Sequence, residues 1–94
     1  MIHPSAIIGE NVKLESGVEI GPYSFVDGNV TIGKNSKIHA SVSIVGNTTI
    51  GENNIIFPFC SVGSVPQDLK YYGEESYLKI GDSNTFREHC TVNT

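Results

Sequence analysis

An aliphatic residue recurs at every sixth position across the first two thirds of this 94-residue chain. Stepping by six from Ile2 meets Ile8, Leu14, Ile20, Val26, Ile32, Ile38, Ile44, Ile50, Ile56 and Val62. A helix needs apolar spacings of three and four, and a hairpin sheet needs turn pairs at spacings of about 8–12 residues; a strict period of six supplies neither. Sustained periodicity of this kind marks a repeat architecture, in which each unit buries its apolar face against its neighbours. The expected fold is therefore all-β, a parallel solenoid over residues 2–63. Six residues per face and a triangular section give 18 residues per coil, with coils stacked about 4.8 Å apart by parallel pairing.

The neighbours of each aliphatic position refine the reading. Glycine follows it at 9, 21, 33, 51 and 63. Two places before it stand mostly small or β-branched residues, among them Ala6, Ser24, Ser36, Thr48 and Cys60. Strand side chains alternate faces, so residues i and i−2 both point inward. The aliphatic side chain is expected to fill the interior and the smaller one to fit where the chain turns a corner. Ile20, Ile32, Ile38, Ile44 and Ile50 should be buried, and Lys13, Lys34 and Lys37 exposed.

After Gly63 the pattern lapses, because the next in-phase residues are Asp68 and Glu74, which cannot face an apolar interior without partners. It resumes at Ile80, Phe86 and Val92. The chain is expected to form a single β-helix domain with one excursion, about residues 64–79, pushed out of a corner. If that excursion consumes no part of a coil, Phe86 lies one coil above Ile56 and Cys90 one coil above Cys60. Two cysteines this far apart do not make a disulfide framework, and reduced thiols in a cytoplasmic protein are the expectation.

Charge excludes some functions. Residues 1–63 and 64–94 each carry three Lys or Arg against five Asp or Glu, so no basic stripe for nucleic acid exists in either part. The longest apolar runs are far below the ~20 residues that span a bilayer. The opening Met1-Ile2-His3-Pro4 lacks the basic and apolar regions of a signal peptide.

The hexapeptide run, the stretch Gly63-Ser64-Val65-Pro66-Gln67-Asp68-Leu69-Lys70-Tyr71 with Gly73-Glu74, and then Ile80-Gly81-Asp82-Ser83-Asn84 with Arg87-Glu88, resemble one family. It is the left-handed parallel β-helix acyltransferases, in the branch of UDP-N-acetylglucosamine O-acyltransferases that opens lipid A synthesis. The resemblance covers all 94 residues. It implies left-handed winding, which the periodicity does not show and which departs from the usual right-handed crossover. It also implies a trimer, with sites between subunits, that moves a 3-hydroxyacyl chain from acyl carrier protein to the glucosamine 3-hydroxyl, with a His as general base and neither metal nor cofactor. Acyl chain length, and a 3-hydroxyl or a 3-amino acceptor, stay open at this point.

Carried over by the same resemblance, Asp68 and Lys70 line the sugar-nucleotide site, with Gln67 beside them. A lysine offers a point positive charge to a diphosphate, and an aspartate accepts hydrogen bonds from sugar hydroxyls. Thr94 stands where the family commonly has Arg. The family's base, its later coils and its helical C-terminal domain fall beyond Thr94, so no catalytic residue is assigned within the chain. His3, His39 and His89 are read as outward or terminal, none with a serine or carboxylate placed to build a catalytic pair. Tyr71, Tyr72 and Tyr77 are read chiefly as anchors of the excursion.

Two other readings stand beside this one. A γ-type carbonic anhydrase shares the solenoid but needs three His around zinc, for which His39 and His89 are the only plausible candidates. A non-catalytic structural solenoid, such as an ice-binding ladder, needs a regular threonine array; Thr31, Thr48, Thr49, Thr85 and Thr91 are read as not lining up at the 18-residue spacing.

Overall fold

The computed structural model describes residues 1–64 and 77–93. Within them the chain forms thirteen short strands and no helix. They are β1 (Ile7–Ile8), β2 (Lys13–Leu14), β3 (Glu19–Ile20), β4 (Phe25–Val26), β5 (Val30–Ile32), β6 (Lys37–Ile38) and β7 (Ser43–Ile44). Then follow β8 (Asn47–Ile50), β9 (Ile55–Ile56), β10 (Ser61–Ser64), β11 (Tyr77–Ile80), β12 (Thr85–Phe86) and β13 (Thr91–Asn93). Every third strand stacks on the last, giving sheets of order β1-β4-β7-β10-β13, β11-β8-β5-β2 and β12-β9-β6-β3. All pairings are parallel, and up to β10 each residue pairs with the one 18 positions on, as in Ile8↔Val26 and Ile32↔Ile50. This is the three-sided coil that a six-residue period demands.

The repeat positions make the core. Ile20, Val26, Ile32, Ile38, Ile44, Ile50, Ile56, Val62 and Ile80 are all buried, while Lys13, Lys34 and Lys37 are exposed. Each buried aliphatic side chain contributes roughly 1.5–3 kcal/mol relative to exposure. The ends differ from the expectation that every sixth residue fills an interior: Ile2 is 44% exposed, and Ile8, Leu14, Phe86 and Val92 are only partly buried. A solenoid side chain packs against the coil below and the coil above, so an end coil lacks half of its partners.

The small residues two places earlier do more than fit. Ser24 Oγ accepts the Val42 amide at 3.2 Å and donates to His39 O, one coil up, at 2.7 Å. Ser36 repeats this with Asn54 N and Gly51 O, and Asn54 repeats it again with Asn84 N and Gly81 O. Polar side chains can thus occupy fully buried corners because each spans two backbone groups of the next coil. Cys60 belongs to the same series, its thiol lying 2.8 Å from Arg87 O.

Two corners turn through left-handed backbone at residues other than glycine. Tyr23, Ser41, Phe59 and His89 have φ of 55–66°, as do Asn35, Asn53 and Ser83 at the next corner, with φ of 58–61°. This conformation is rare for side chains other than Asn, Asp and Gly. Here it aims the amide at the coil beneath: Ser41 N donates to Pro22 O at 2.9 Å, Asn53 N to Lys34 O at 2.9 Å, and Ser83 N to Glu52 O at 2.9 Å. A hydrogen bond of this kind, worth about 1 kcal/mol, offsets a strain of similar size.

The threonine expectation needs one correction. Thr31 and Thr49 do stand 18 apart and pair in register. Their column runs Lys13, Thr31, Thr49, Lys79, so lysines close the two-threonine step at both ends and no array develops.

Candidate functional site

Gln67, Asp68 and Lys70 lie outside the described residues, but the strands that bracket them are placed. β10 carries the chain up to Ser64, and β11 brings it back at Tyr77. Ser64 and Tyr77–Lys79, expected to belong to the excursion, are therefore strand residues. Across the interval the register changes: Tyr77 pairs with Asn47, Thr85 with Ile55 and Ser61 with Thr91, a separation of 30 instead of 18. The difference of 12 is the length of segment 65–76. Phe86 accordingly sits over Ile56, and Ser61 N donates to Cys90 O at 2.9 Å, which puts Cys90 over Cys60 as expected. Both thiols are free.

The corner between β10 and β11 is where the sugar-nucleotide residues of the resemblance attach. On the coils below, the same corner turns at Gly28 and Gly46, with φ of 99° and 81°. A Cβ on Gly28 would stand 2.6 Å from Gly46 O, so only glycine lets the coils stack closely there. Asn29 and Asn47 join side chain to side chain at 3.0 Å beside them. Gly63 continues the column with φ of 79°, immediately before the excursion.

The histidines occupy a different corner, between the β3-β6-β9-β12 sheet and the β1-β4-β7-β10-β13 sheet. His39 stacks on Phe57, ring centroids 5.0 Å apart and planes within 3°, and the Arg87 guanidinium carbon lies over the Phe57 ring, 4.7 Å from its centroid. Two residues along, Phe59 stacks on His89 at 5.3 Å. These columns are spaced by one coil, which is why rings on successive coils meet face to face. His39 and His89 are two coils apart and each is committed to a phenylalanine, so they do not converge on a common point as zinc ligands would. Among the described residues no cluster of three metal-ligating side chains forms.

One histidine has a serine beside it that sequence spacing did not single out. Ser5 Oγ lies 2.8 Å from His3 Nδ1, which also accepts the Ser5 amide at 3.1 Å. The i, i+2 spacing closes a local turn, and Ser5 Oγ in addition accepts the Tyr23 amide at 3.1 Å. Among the described residues no acid is paired with the ring, so the pair fastens the first corner and lacks the third member of a catalytic triad.

Among the described groups a pKa displacement is resolved for Cys60. Burial pushes its thiol above the ordinary range, the hydrogen bond with the Cys90 backbone opposes this, and the charges of Cys90 and Glu88 add to it. A buried, hydrogen-bonded thiol held in its neutral form is a structural residue and a poor nucleophile.

The stacked three-sided coil and its small polar corner residues define a hexapeptide-repeat solenoid. A family profile described as bacterial transferase hexapeptide (six repeats) matches residues 29–64. That match and the fold agree with the resemblance, and the winding is left-handed, as the resemblance implied. In particular, the chain is similar to acyl-(acyl-carrier-protein)–UDP-N-acetylglucosamine O-acyltransferase of Psychrobacter sp., 48% identical over 90 residues, covering 96% of this chain and 35% of the relative. The corresponding protein of Janthinobacterium sp. is 50% identical over 93 residues, 99% of this chain and 36% of the relative. The solved structure of LpxA from Acinetobacter baumannii superposes with a TM-score of 0.94 at 51% identity, over 98% of this chain and 36% of that one. The chain thus spans about a third of the length of the relatives it matches.

Proposed function

We propose that this chain is part of an acyl-(acyl-carrier-protein)–UDP-N-acetylglucosamine O-acyltransferase, which moves a 3-hydroxyacyl chain onto the glucosamine 3-hydroxyl in the first step of lipid A biosynthesis. The observation that carries the reading is the near-complete coverage of the chain, at about half identity, by proteins of that name. The register supports it too, since β10 ends and β11 begins at one corner and the coil continues above it with a separation of 30 instead of 18.

In this reading Lys70 meets the diphosphate as a point charge, Asp68 accepts hydrogen bonds from sugar hydroxyls, and Gln67 lines the same wall. The acyl donor is the acyl carrier protein thioester, and the site completes itself against neighbouring subunits of a cytoplasmic homotrimer. The general-base histidine maps beyond Thr94 together with later coils and a helical domain. A base within hydrogen-bond reach of the acceptor hydroxyl is worth 10²–10⁴ in rate, and oxyanion donors add a comparable factor. The 94 residues alone are therefore expected to bind the sugar nucleotide weakly and to show no turnover.

The test is acyl transfer from 3-hydroxyacyl-acyl carrier protein to UDP-N-acetylglucosamine by the chain and by a form extended past Thr94. Turnover in the extended form that Lys70→Ala reduces, with none in the 94-residue chain, is the expected result. Clear turnover by the 94 residues would mean that a histidine within them is the base, and an extended form indifferent to Lys70 would remove the assigned role of the loop.

A further inference from the structure

The outward column that carries His39 has a gap one coil below it. Its members, from the bottom, are His3, Gly21, His39, Phe57 and Arg87, each one coil above the last: His3 N donates to Ile20 O, Gly21 N to Ile38 O, His39 N to Ile56 O and Phe57 N to Phe86 O. From His39 upward the side chains stack face to face. Gly21 has no side chain to offer, and none could be added simply, because a Cβ there would lie 2.7 Å from the His39 carbonyl carbon and 2.9 Å from Ala40 N. The missing rung is thus imposed by backbone approach and leaves a groove of about 420 Å³ on the surface. His3 and His39 bound it along the column, the Pro22 side of the corner forms one wall, and Glu19 with Lys37 forms the other.

We propose that this groove is a binding slot for the single flat aromatic or heteroaromatic ring of a free small molecule, stacked between the imidazoles of His3 and His39. Spacing carries the argument. Coils repeat every ~4.8 Å, so the two imidazoles are anchored about 10 Å apart, and a ring midway stands about 5 Å from each. That is the separation the protein itself uses for His39 on Phe57, 5.0 Å between centroids. The volume falls within the ~300–1,000 Å³ of small-ligand sites. Polar groups are in place at the edges. In the neutral ring, His3 accepts the Ser5 amide at Nδ1, which leaves its Nε2–H as a donor, and Lys37 and Glu19 pair with each other at 3.8 Å at the rim. The slot lies on a different corner of the coil from the ends of β10 and β11 that bracket segment 65–76.

The experiment is a titration of the full 94-residue chain with phenol, followed by NMR of the ring protons of His3, His39 and His89. Saturable upfield shifts at His3 and His39, with His89 unmoved, are expected, since the face of His89 toward the stack is taken by Phe59 and no second imidazole stands two coils away. Cyclohexanol, of similar size but not flat, should bind more weakly by about threefold to tenfold, the worth of one aromatic contact. His39→Leu and His3→Leu, each checked for retained fold by circular dichroism, should weaken phenol by a similar factor, and His89→Leu should not. Shifts that do not saturate, equal shifts at His89, equal binding of cyclohexanol, or Leu variants that bind phenol as the parent does would each overturn the proposal.

Discussion

Asn54 shows at the scale of one side chain how a buried polar residue holds coils together. Its Nδ2 donates to Gly81 O at 2.7 Å and its Oδ1 accepts the Asn84 amide at 2.8 Å, so it ties the coil before segment 65–76 to the coil after it. Asn54→Ala leaves both backbone groups without their partner, and a buried group so orphaned costs about 1–3 kcal/mol. The expected loss in urea unfolding is roughly 2–4 kcal/mol, and a loss under ~1 kcal/mol would show that water replaces the amide. Cys60 makes a prediction in pH. Its native thiol titrates above the unfolded one, because burial disfavours the thiolate. Below the ordinary thiol value, about 8.5, both states keep the proton and stability is unaffected. Above it the unfolded chain releases a proton that the native chain retains, so stability falls as pH rises toward the native value. Urea midpoints between pH 7 and 10 should decline more steeply for the parent than for Cys60→Ser.

At the scale of strands, the energy of this fold is distributed by position along the stack. Ile44 in β7 is fully buried between coils, whereas Ile8 in β1 keeps part of its surface in water. Truncating Ile44 to Ala should cost about 2–5 kcal/mol through lost burial and the cavity left behind. Ile8→Ala should cost clearly less, because the open end of the solenoid neither buries the side chain fully nor confines a cavity. Chemical denaturation of the pair decides this, and equal losses would mean that the first coil is packed as tightly as the middle ones. Strands of two residues are too short to be stable by themselves, and they persist here because each is paired with a neighbouring coil, the inner ones both above and below.

Taken as a whole, the molecule is a one-dimensional stack, and its stability should grade along the axis. Amide hydrogen exchange is expected to be slowest at β5 to β9 and fastest at β1, β2, β12 and β13, since contacts run between neighbouring coils. Uniform protection would indicate that the ends are capped by association. Light scattering reads the same question directly, and the proposed homotrimer predicts a particle of three chains. No helix among the described residues is long and apolar enough to cross a membrane.

What the sequence by itself determined is the interior. A period of six assigns Ile20, Ile32, Ile38, Ile44 and Ile50 to the core and fixes 18 residues per turn, because burial is a property that each residue type carries with it. For Gln67, Asp68 and Lys70 a sugar-nucleotide role is what the resemblance implies and the proposed function adopts. Only the tertiary structure decided what meets across coils. The stacking of His39 on Phe57 and of Phe59 on His89, the Asn54–Asn84 tie and the gap at Gly21 join residues 18 or 30 apart, and no local pattern marks them. The Ser5–His3 contact, close in sequence, carries no sequence mark either, because a turn conformation brings it about. Left-handed backbone at Tyr23, Phe59 and His89 was unforeseen for the same reason. Its local cost is offset by amide hydrogen bonds to the coil below, as Phe59 to Ala40 O and His89 to Pro58 O, and those partners exist only once the coil has closed.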